Sequence, residues 1–448
     1  MAKELFGTDG IRGVAGRYPL DPSTVYAFGV ALADDVRAAT SAASPEILIG
    51  ADTRESGRWL AETVAGGLAS RGVQSRYAGV VTTPGVAWLT STGPFAAGVM
   101  ISASHNPFQD NGLKVFGHTG FKLPDEQEDA IEQEIFALAA RDLTPQTAPL
   151  TADPALARQY LEFLLSTVEF RFDGVRLVVD CGNGAAYQLA PELFRRLGAQ
   201  VSAICTEPDG RNINLNCGAL HVEALAEKVV ADGADFGVAF DGDADRAMFV
   251  SRSGRVVNGD GVLLASGRAM KAAGRLPGDT VVSTVMANLG LEKALERAGI
   301  RMIRTQVGDK YVLEEMERLG ARLGGEQSGH VIFRDYATTG DGMLTALRVF
   351  ELAVRCGTGL DELTADLAVY PQKLVNIRVR EKRPFDDMPQ VAGEIRSVER
   401  ELDADGRVLV RYSGTELLAR VMVEAADSQQ VESGAARIAE AISREIGV

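Results

Sequence analysis

Short apolar runs recur along most of the chain, each leading into a loop of small residues and then a stretch with helical spacing. "ILIG" from Ile47 meets "ADTRESG" and a helical segment before "SRGVQSRYAGV". "LVVD" from Leu177 meets "CGNGAA" and then "YQLAPELFRRLGAQVSAI". "VVSTV" from Val281 meets "MANLG" and then "LEKALERAGIRMIRT". A brief unbroken apolar run fits a strand buried on both faces, and the helical spacing after it fits the crossover of a βα unit. Three such units predict three related α/β domains with mainly parallel, mixed sheets, whose ligand loops lie at the carboxyl ends of the strands. The tail reads differently. "KLVNIRVR", "GRVLVRYSG" and "LLARVMVE" fit antiparallel strands, and "SQQVESGAARIAEAISREI" fits an amphipathic helix, so a smaller C-terminal α+β domain is expected.

Polar or proline-bearing stretches mark the expected boundaries. "RDLTPQTAPLTADP", "SRSGRVVNGDG" and "LTADLAVYPQ" divide the chain into residues 1–150, 151–254, 255–369 and 370–448. A length of 448 residues exceeds what a single core usually holds. The net charge of −15 argues against nucleic acid or an anionic membrane as a partner, but not against a small anion in a local basic pocket. Cys181, Cys205, Cys217 and Cys356 form no Cys-x-x-Cys pair and read as reduced thiols of a cytoplasmic protein, outside any disulfide frame or zinc site. The amino-terminal residues lack the apolar core of a signal peptide, and no apolar run approaches a bilayer-spanning length.

The strongest chemical signal is "DFGVAFDGDADRAMFV", in which apolar strands flank Asp241, Asp243 and Asp245. Carboxylates at alternate positions repel unless a cation neutralises them. An EF-hand is excluded, because Arg246 stands at the glycine position and Arg252 at the bidentate glutamate position. Three carboxylates with an adjacent arginine suit Mg²⁺ shared with a phosphate.

"SASHNP" places Ser102 and Ser104 on one side of an extended segment, next to His105 and Asn106. A serine–histidine dyad is disfavoured: adjacent side chains usually point apart, and no third group orients the ring. A serine needs no triad when the incoming group is a phosphoryl, where position and charge neutralisation do most of the chemistry. "RYSGTE" offers Arg411, Ser413, Gly414 and Thr415 for an anion, and "FGTDGIRG" offers Thr8 and Arg12. "GGEQSGH" brings Glu326, Ser328 and His330 into a glycine-rich loop suited to sugar hydroxyls.

Together, "GTDGIRG", "SASHNP", "NGLK", "DGDADR", "GEQSGH" and "RYSGT" resemble the motif set of the α-D-phosphohexomutase superfamily, spread over nearly the whole chain. "FGTDGIRG", "VMANLGLEKAL", "TQVGDKYV", "GGEQSGHVIF" and "TTGDGMLTAL" are most similar to its bacterial amino-sugar branch. The resemblance implies four domains around a central cleft. It implies interconversion of glucosamine 6-phosphate and glucosamine 1-phosphate through a phosphoserine and a hexosamine 1,6-bisphosphate, which also acts as activator. That reaction supplies UDP-N-acetylglucosamine and cell-wall synthesis; a phosphomannomutase/phosphoglucomutase is the alternative. Ser104 matches the phosphoserine, and Ser104, Asp241, Asp243 and Asp245 match the ligands of one Mg²⁺, beside Arg246. Arg12, Lys114 and His330 match positions of proton transfer or charge stabilisation. Thr305, Gly308, Glu326, Ser328, Arg411, Ser413, Gly414 and Thr415 match substrate contacts. The expected partner is a sugar phosphate, with no nucleic acid or membrane, acting on a monomer or homodimer. Two departures from the usual tail motif, Tyr412 and Leu417, remove no phosphate donor.

Overall fold

The computed structural model describes residues 4–141, 143–413 and 417–448. Chain contacts divide it into two compact units: residues up to Met286 with Gly299–Ala365, and Ala287–Ala298 with Asp366–Val448.

The first unit holds three mixed sheets. In the first, the strands run in the order Phe6–Gly7, Gly10–Val14, Asp110–Gly117, Ala97–Ile101, Glu46–Ala51, Gln74–Val80. The strand Glu46–Ala51 pairs in parallel with both neighbours, and Asp110–Gly117 runs antiparallel to Ala97–Ile101. The second sheet has the order Val256–Val257, Ala247–Ser251, Phe236–Phe240, Arg176–Asp180, Gln200–Ile204, and the third Arg301–Thr305, Thr280–Thr284, Leu323–Gly325, Val331–Phe333. Every residue of Ala97–Ile101, Phe236–Phe240 and Thr280–Thr284 is buried; the first two read as unbroken apolar runs, and the third buries the hydroxyls of Thr280, Ser283 and Thr284 as well. Helices follow the strands as the spacing predicts, among them Gly57–Ser70 and Leu189–Arg196.

The second unit is built on an antiparallel sheet in the order Gln372–Arg378, Leu418–Ala425, Gly406–Tyr412. Helix Ser428–Ile446 buries Val431, Ala435, Ile438 and Ile442 in a core shared with Val421 and Val423. Helix Leu289–Arg297, which follows the third "VVSTV" run, belongs to this unit. The Leu289 N–H donates to Glu424 Oε1 at 3.0 Å, Asn288 Nδ2 donates to the Tyr370 carbonyl at 3.0 Å, and Gly290 lies against Ala368 too closely for a side chain. Chain order alone places that helix with the third sheet; these contacts draw it to the fourth.

Candidate active site

Strand Ala97–Ile101 ends at Ser102, whose Oγ accepts from the Ser104 N–H at 2.9 Å and turns the chain. Ser104 sits in the left-handed region with φ of 52°. That conformation aims its hydroxyl at the second sheet, where Oγ donates to Asp241 Oδ2 at 2.6 Å. It also corrects the expectation that Ser104 and His105 point apart, since Oγ lies 3.3 Å from His105 Nδ1. Arg246 Nη1 is 3.1 Å from the same nitrogen, and burial with this guanidinium lowers the imidazole pKa to about 4. A ring so disfavoured as a cation is a poor partner for serine-hydrolase chemistry.

Two side chains hold the serine loop from behind. Arg54 Nη2 donates to the carbonyls of Ser104 at 3.0 Å and Asn106 at 2.6 Å, while Nη1 meets Asp52. Asn214 Nδ2 donates to the same carbonyls at 2.9 and 3.2 Å. Gly242 allows the close approach of the two loops, because a Cβ there would come within 2.5 Å of the Ser104 carbonyl oxygen.

Asp241, Asp243 and Asp245 lie in the turn between strands Phe236–Phe240 and Ala247–Ser251, all buried, with ligand oxygens within 4.8 Å of one another. Asp243 Oδ1 and Asp245 Oδ1 are buried with no hydrogen-bond partner among the described residues. Buried carboxylate oxygens are costly without a partner, and a cation supplies one. Burial, with Asp245 and Asp243 beside it, pushes the Asp241 carboxyl well above its usual range. Burial also raises Asp245, but Lys114, His330 and Arg246 outweigh it and hold that carboxyl well below. The donor set is oxygen only and carries excess negative charge, so the residues present fit a hard divalent cation.

Lys114 is 1% exposed. Its Nζ is 2.8 Å from Asp243, 2.9 Å from Asp9 and 3.5 Å from Asp245. Burial alone would lower its pKa, but these carboxylates raise it, so the ammonium is a fixed charge. Asp9 also pairs with Arg12 and, at 2.5 Å, with Lys122, which reaches on to Asp309. His330 Nδ1 stands 3.6 Å from Asp245, and its Nε2 accepts from the Gly340 N–H at 3.0 Å. Glu326 Oε1 accepts from the Gly308 N–H at 3.1 Å, and Ser328 Oγ donates to Oε2 at 3.4 Å. Thr305 Oγ donates to the Gln306 carbonyl at 2.9 Å. The structure thus gathers Ser104, Lys114, Arg12, His330 and the three aspartates through direct contacts or shared partners, and separately joins Glu326 to Gly308 and Ser328.

Arg411 and Ser413 lie in the second unit, where Arg411 faces Arg420 across the ladder and Lys382 Nζ donates to the Ser413 carbonyl at 2.7 Å. Burial, with the Arg420 guanidinium beside it, lowers the Arg411 pKa. Gly414 and Thr415 lie outside the described residues. Sequence reasoning missed Asp9, Lys122, Asp309, Arg54 and Thr83, whose hydroxyl donates to Asp243. Asp9 and Arg54 stand inside the quoted loops "FGTDGIRG" and "ADTRESG", but nothing in their spacing reveals the partners.

Family sequence models for phosphoglucomutase/phosphomannomutase match the chain in order: alpha/beta/alpha domain I over residues 3–142, domain II over 158–254, domain III over 258–370 and the C-terminal domain over 374–441. The phosphoglucosamine mutase of Solibacter usitatus (strain Ellin6076) is 71% identical, covering 100% of both chains. That of Koribacter versatilis (strain Ellin345) is 52% identical over 100% of this chain and 98% of its own. Among solved structures, a phosphoglucomutase/phosphomannomutase family protein from Burkholderia thailandensis superposes with a TM-score of 0.81 at 24% identity, covering 99% of each chain. Aspergillus fumigatus N-acetylphosphoglucosamine mutase, in complex with GlcNAc-6P and magnesium, superposes at 0.63 with 19% identity over 98% of this chain and 95% of its own. The chain belongs to the phosphoglucomutase/phosphomannomutase family, among its phosphoglucosamine mutases.

Proposed function

We propose that the chain interconverts glucosamine 6-phosphate and glucosamine 1-phosphate, with Ser104 as phosphoryl carrier. The observation that carries this reading is the Ser104 hydroxyl, held 2.6 Å from Asp241 at a buried cluster of three carboxylates. Full-length likeness to phosphoglucosamine mutases supports the substrate. Mg²⁺ is the cation this oxygen set suits, held by Asp241, Asp243, Asp245 and Ser104, and when bound it neutralises phosphate charge and polarises the phosphoryl group. A magnesium complex of the Aspergillus relative supports that choice.

The chain's own residues do the rest. Phosphorylated Ser104 gives its phosphoryl to the free sugar hydroxyl: the seryl O–P bond breaks, the sugar O–P bond forms, and the hydroxyl proton ends on the freed seryl oxygen. The 1,6-bisphosphate then presents its other phosphate, which returns to Ser104. Lys114 and Arg246 neutralise the transferring group, and the Arg54 and Asn214 contacts keep the serine in line. Arg12, Lys114 and His330 are the candidates for proton transfer or charge stabilisation at the reacting oxygen, and Arg12 is the most exposed of them at 27%. Glu326 and Gln327 read the amino sugar, and Arg411, Ser413, Gly414 and Thr415 hold the phosphate that is not reacting.

Intact mass spectrometry before and after incubation with glucosamine 1,6-bisphosphate tests the carrier. One phosphoryl group should map to Ser104, and S104A should lose turnover while staying folded. Mapping to Ser102 would move the assignment. D243N should lower both Mg²⁺ affinity and turnover; unchanged Mg²⁺ binding by calorimetry would leave the aspartates a mere acidic turn. A higher kcat/KM for glucose 6-phosphate or mannose 6-phosphate than for glucosamine 6-phosphate would overturn the substrate but not the carrier.

A further inference from the structure

Asp180, Cys205 and Cys217 stand far apart in sequence and meet at one end of the second sheet. Asp180 closes strand Arg176–Asp180, Cys205 follows its parallel neighbour Gln200–Ile204, and Cys217 ends the loop that returns to Gly218. Their carboxylate and sulfur atoms all lie within 4.8 Å of one another. Contrary to the sequence expectation that the cysteines lie outside any zinc site, we propose that these three residues form a second cation site, for a thiophilic divalent ion of the zinc class, which ties together both ends of the loop bracing Ser104.

Two thiolates and a carboxylate are a donor set that zinc takes readily, with a fourth position left for water, and that magnesium avoids. The ligands are oriented from outside, as metal ligands commonly are. Asp180 Oδ1 accepts from the Gly182 N–H at 2.8 Å and Oδ2 from the Gly218 N–H at 2.9 Å. Asn183 Nδ2 points at Cys217 Sγ from 4.0 Å. Cys205 adopts φ of 53°, a strained backbone for a residue with a side chain, and strain of that kind persists where the surroundings demand it. The site is half open: Cys217 and Asp180 are buried, and Cys205 is partly exposed, leaving a path for an ion.

Cys205 and Cys217 carry no disulfide and stand as two free thiols. The ion takes both sulfurs and the carboxylate, two thiol protons leave to solvent, and no oxidant is required.

The consequence follows from the loop between the cysteines. It carries Asn214, whose amide donates to the carbonyls of Ser104 and Asn106. An ion at Cys205 and Cys217 clamps both ends of this brace without touching the three aspartates of the phosphoryl site.

Cobalt is the probe, because a thiolate ligand gives Co²⁺ a charge-transfer band in the near ultraviolet and oxygen ligands do not. Reduced protein saturated with Mg²⁺ should develop that band on titration with Co²⁺ and lose it when Zn²⁺ is added. C205A and C217A should each abolish it, and D243N should retain it. A second readout needs no variant: Zn²⁺ should shield Cys205 and Cys217 of the native protein from iodoacetamide, while exposed Cys356 alkylates equally with and without it. The proposal is overturned by absence of the band, by its survival in C205A or C217A, by its loss in D243N, or by alkylation of Cys205 that Zn²⁺ does not slow.

Discussion

Arg54 and Asp52 form an ion pair in which neither side chain is exposed. Burial pushes the Asp52 carboxyl up even with the guanidinium beside it. Such a pair stabilises little by itself, but removing one partner strands the other charge, at a cost of about 3–5 kcal/mol. R54A should therefore unfold at markedly lower urea concentration. The pair also has a second task, since the same guanidinium holds the Ser104 and Asn106 carbonyls. The double variant D52N/R54M removes both charges and should recover much of the stability while turnover stays low. Recovery of kcat along with stability would show that Arg54 only fills space. A sequence reader meets Arg54 in a polar loop that looks solvated; its burial arises from strands Glu46–Ala51 and Ala97–Ile101 lying side by side.

At the scale of elements, helix Gly342–Cys356 begins at Asp341, whose Oδ1 accepts from the Leu344 N–H. Oδ2 accepts from the Tyr160 hydroxyl at 2.7 Å, so a helix of the third α/β part is pinned to helix Pro154–Ser166. Burial outweighs both hydrogen bonds and raises the Asp341 pKa from 3.8 to about 6. Between those values the folded chain binds the proton that the unfolded chain has released. The contribution of Asp341 to stability is thus fully present below about pH 4 and is lost as pH rises through about 6, which costs about 3 kcal/mol at neutral pH. D341N keeps the capping oxygen and removes the charge. The stability difference between D341N and the parent should widen in favour of the variant from pH 4 to 6.5 and then level off. A difference that is flat with pH in urea melts would show that Asp341 titrates normally. "TTGDGMLTAL" shows the cap in the sequence, because a cap acts within one turn; the Tyr160 contact, 181 residues away, has no local trace.

Across the molecule, Lys122 joins elements that chain order separates. Its ammonium meets Asp9, between strands Phe6–Gly7 and Gly10–Val14, and Asp309, at the start of helix Asp309–Leu319. Asp9 in turn pairs with Arg12 and Lys114, so one cation ties the candidate active site to the part of the chain that carries Gly308 and Glu326. K122M should lower stability by about 1.5–3 kcal/mol, the usual worth of hydrogen bonds to charged groups. It should also raise KM for the sugar phosphate, and K122R should restore part of both. An unchanged KM in K122M would mean that the network is scaffold alone.

Local order in the sequence determined the strands at Ile47, Leu177 and Val281, the antiparallel tail with its amphipathic helix, and the crowding of Asp241, Asp243 and Asp245 in one turn. Burial periodicity and a six-residue hairpin loop are properties of neighbouring residues, so they are written where they act. Tertiary structure alone decided that Arg54 and Asn214 hold the serine, that Lys114 serves three carboxylates, that helix Leu289–Arg297 joins the fourth sheet, and that Asp180, Cys205 and Cys217 converge. Parallel strands set side by side residues that their crossovers separate widely in sequence, and such contacts leave no spacing to read.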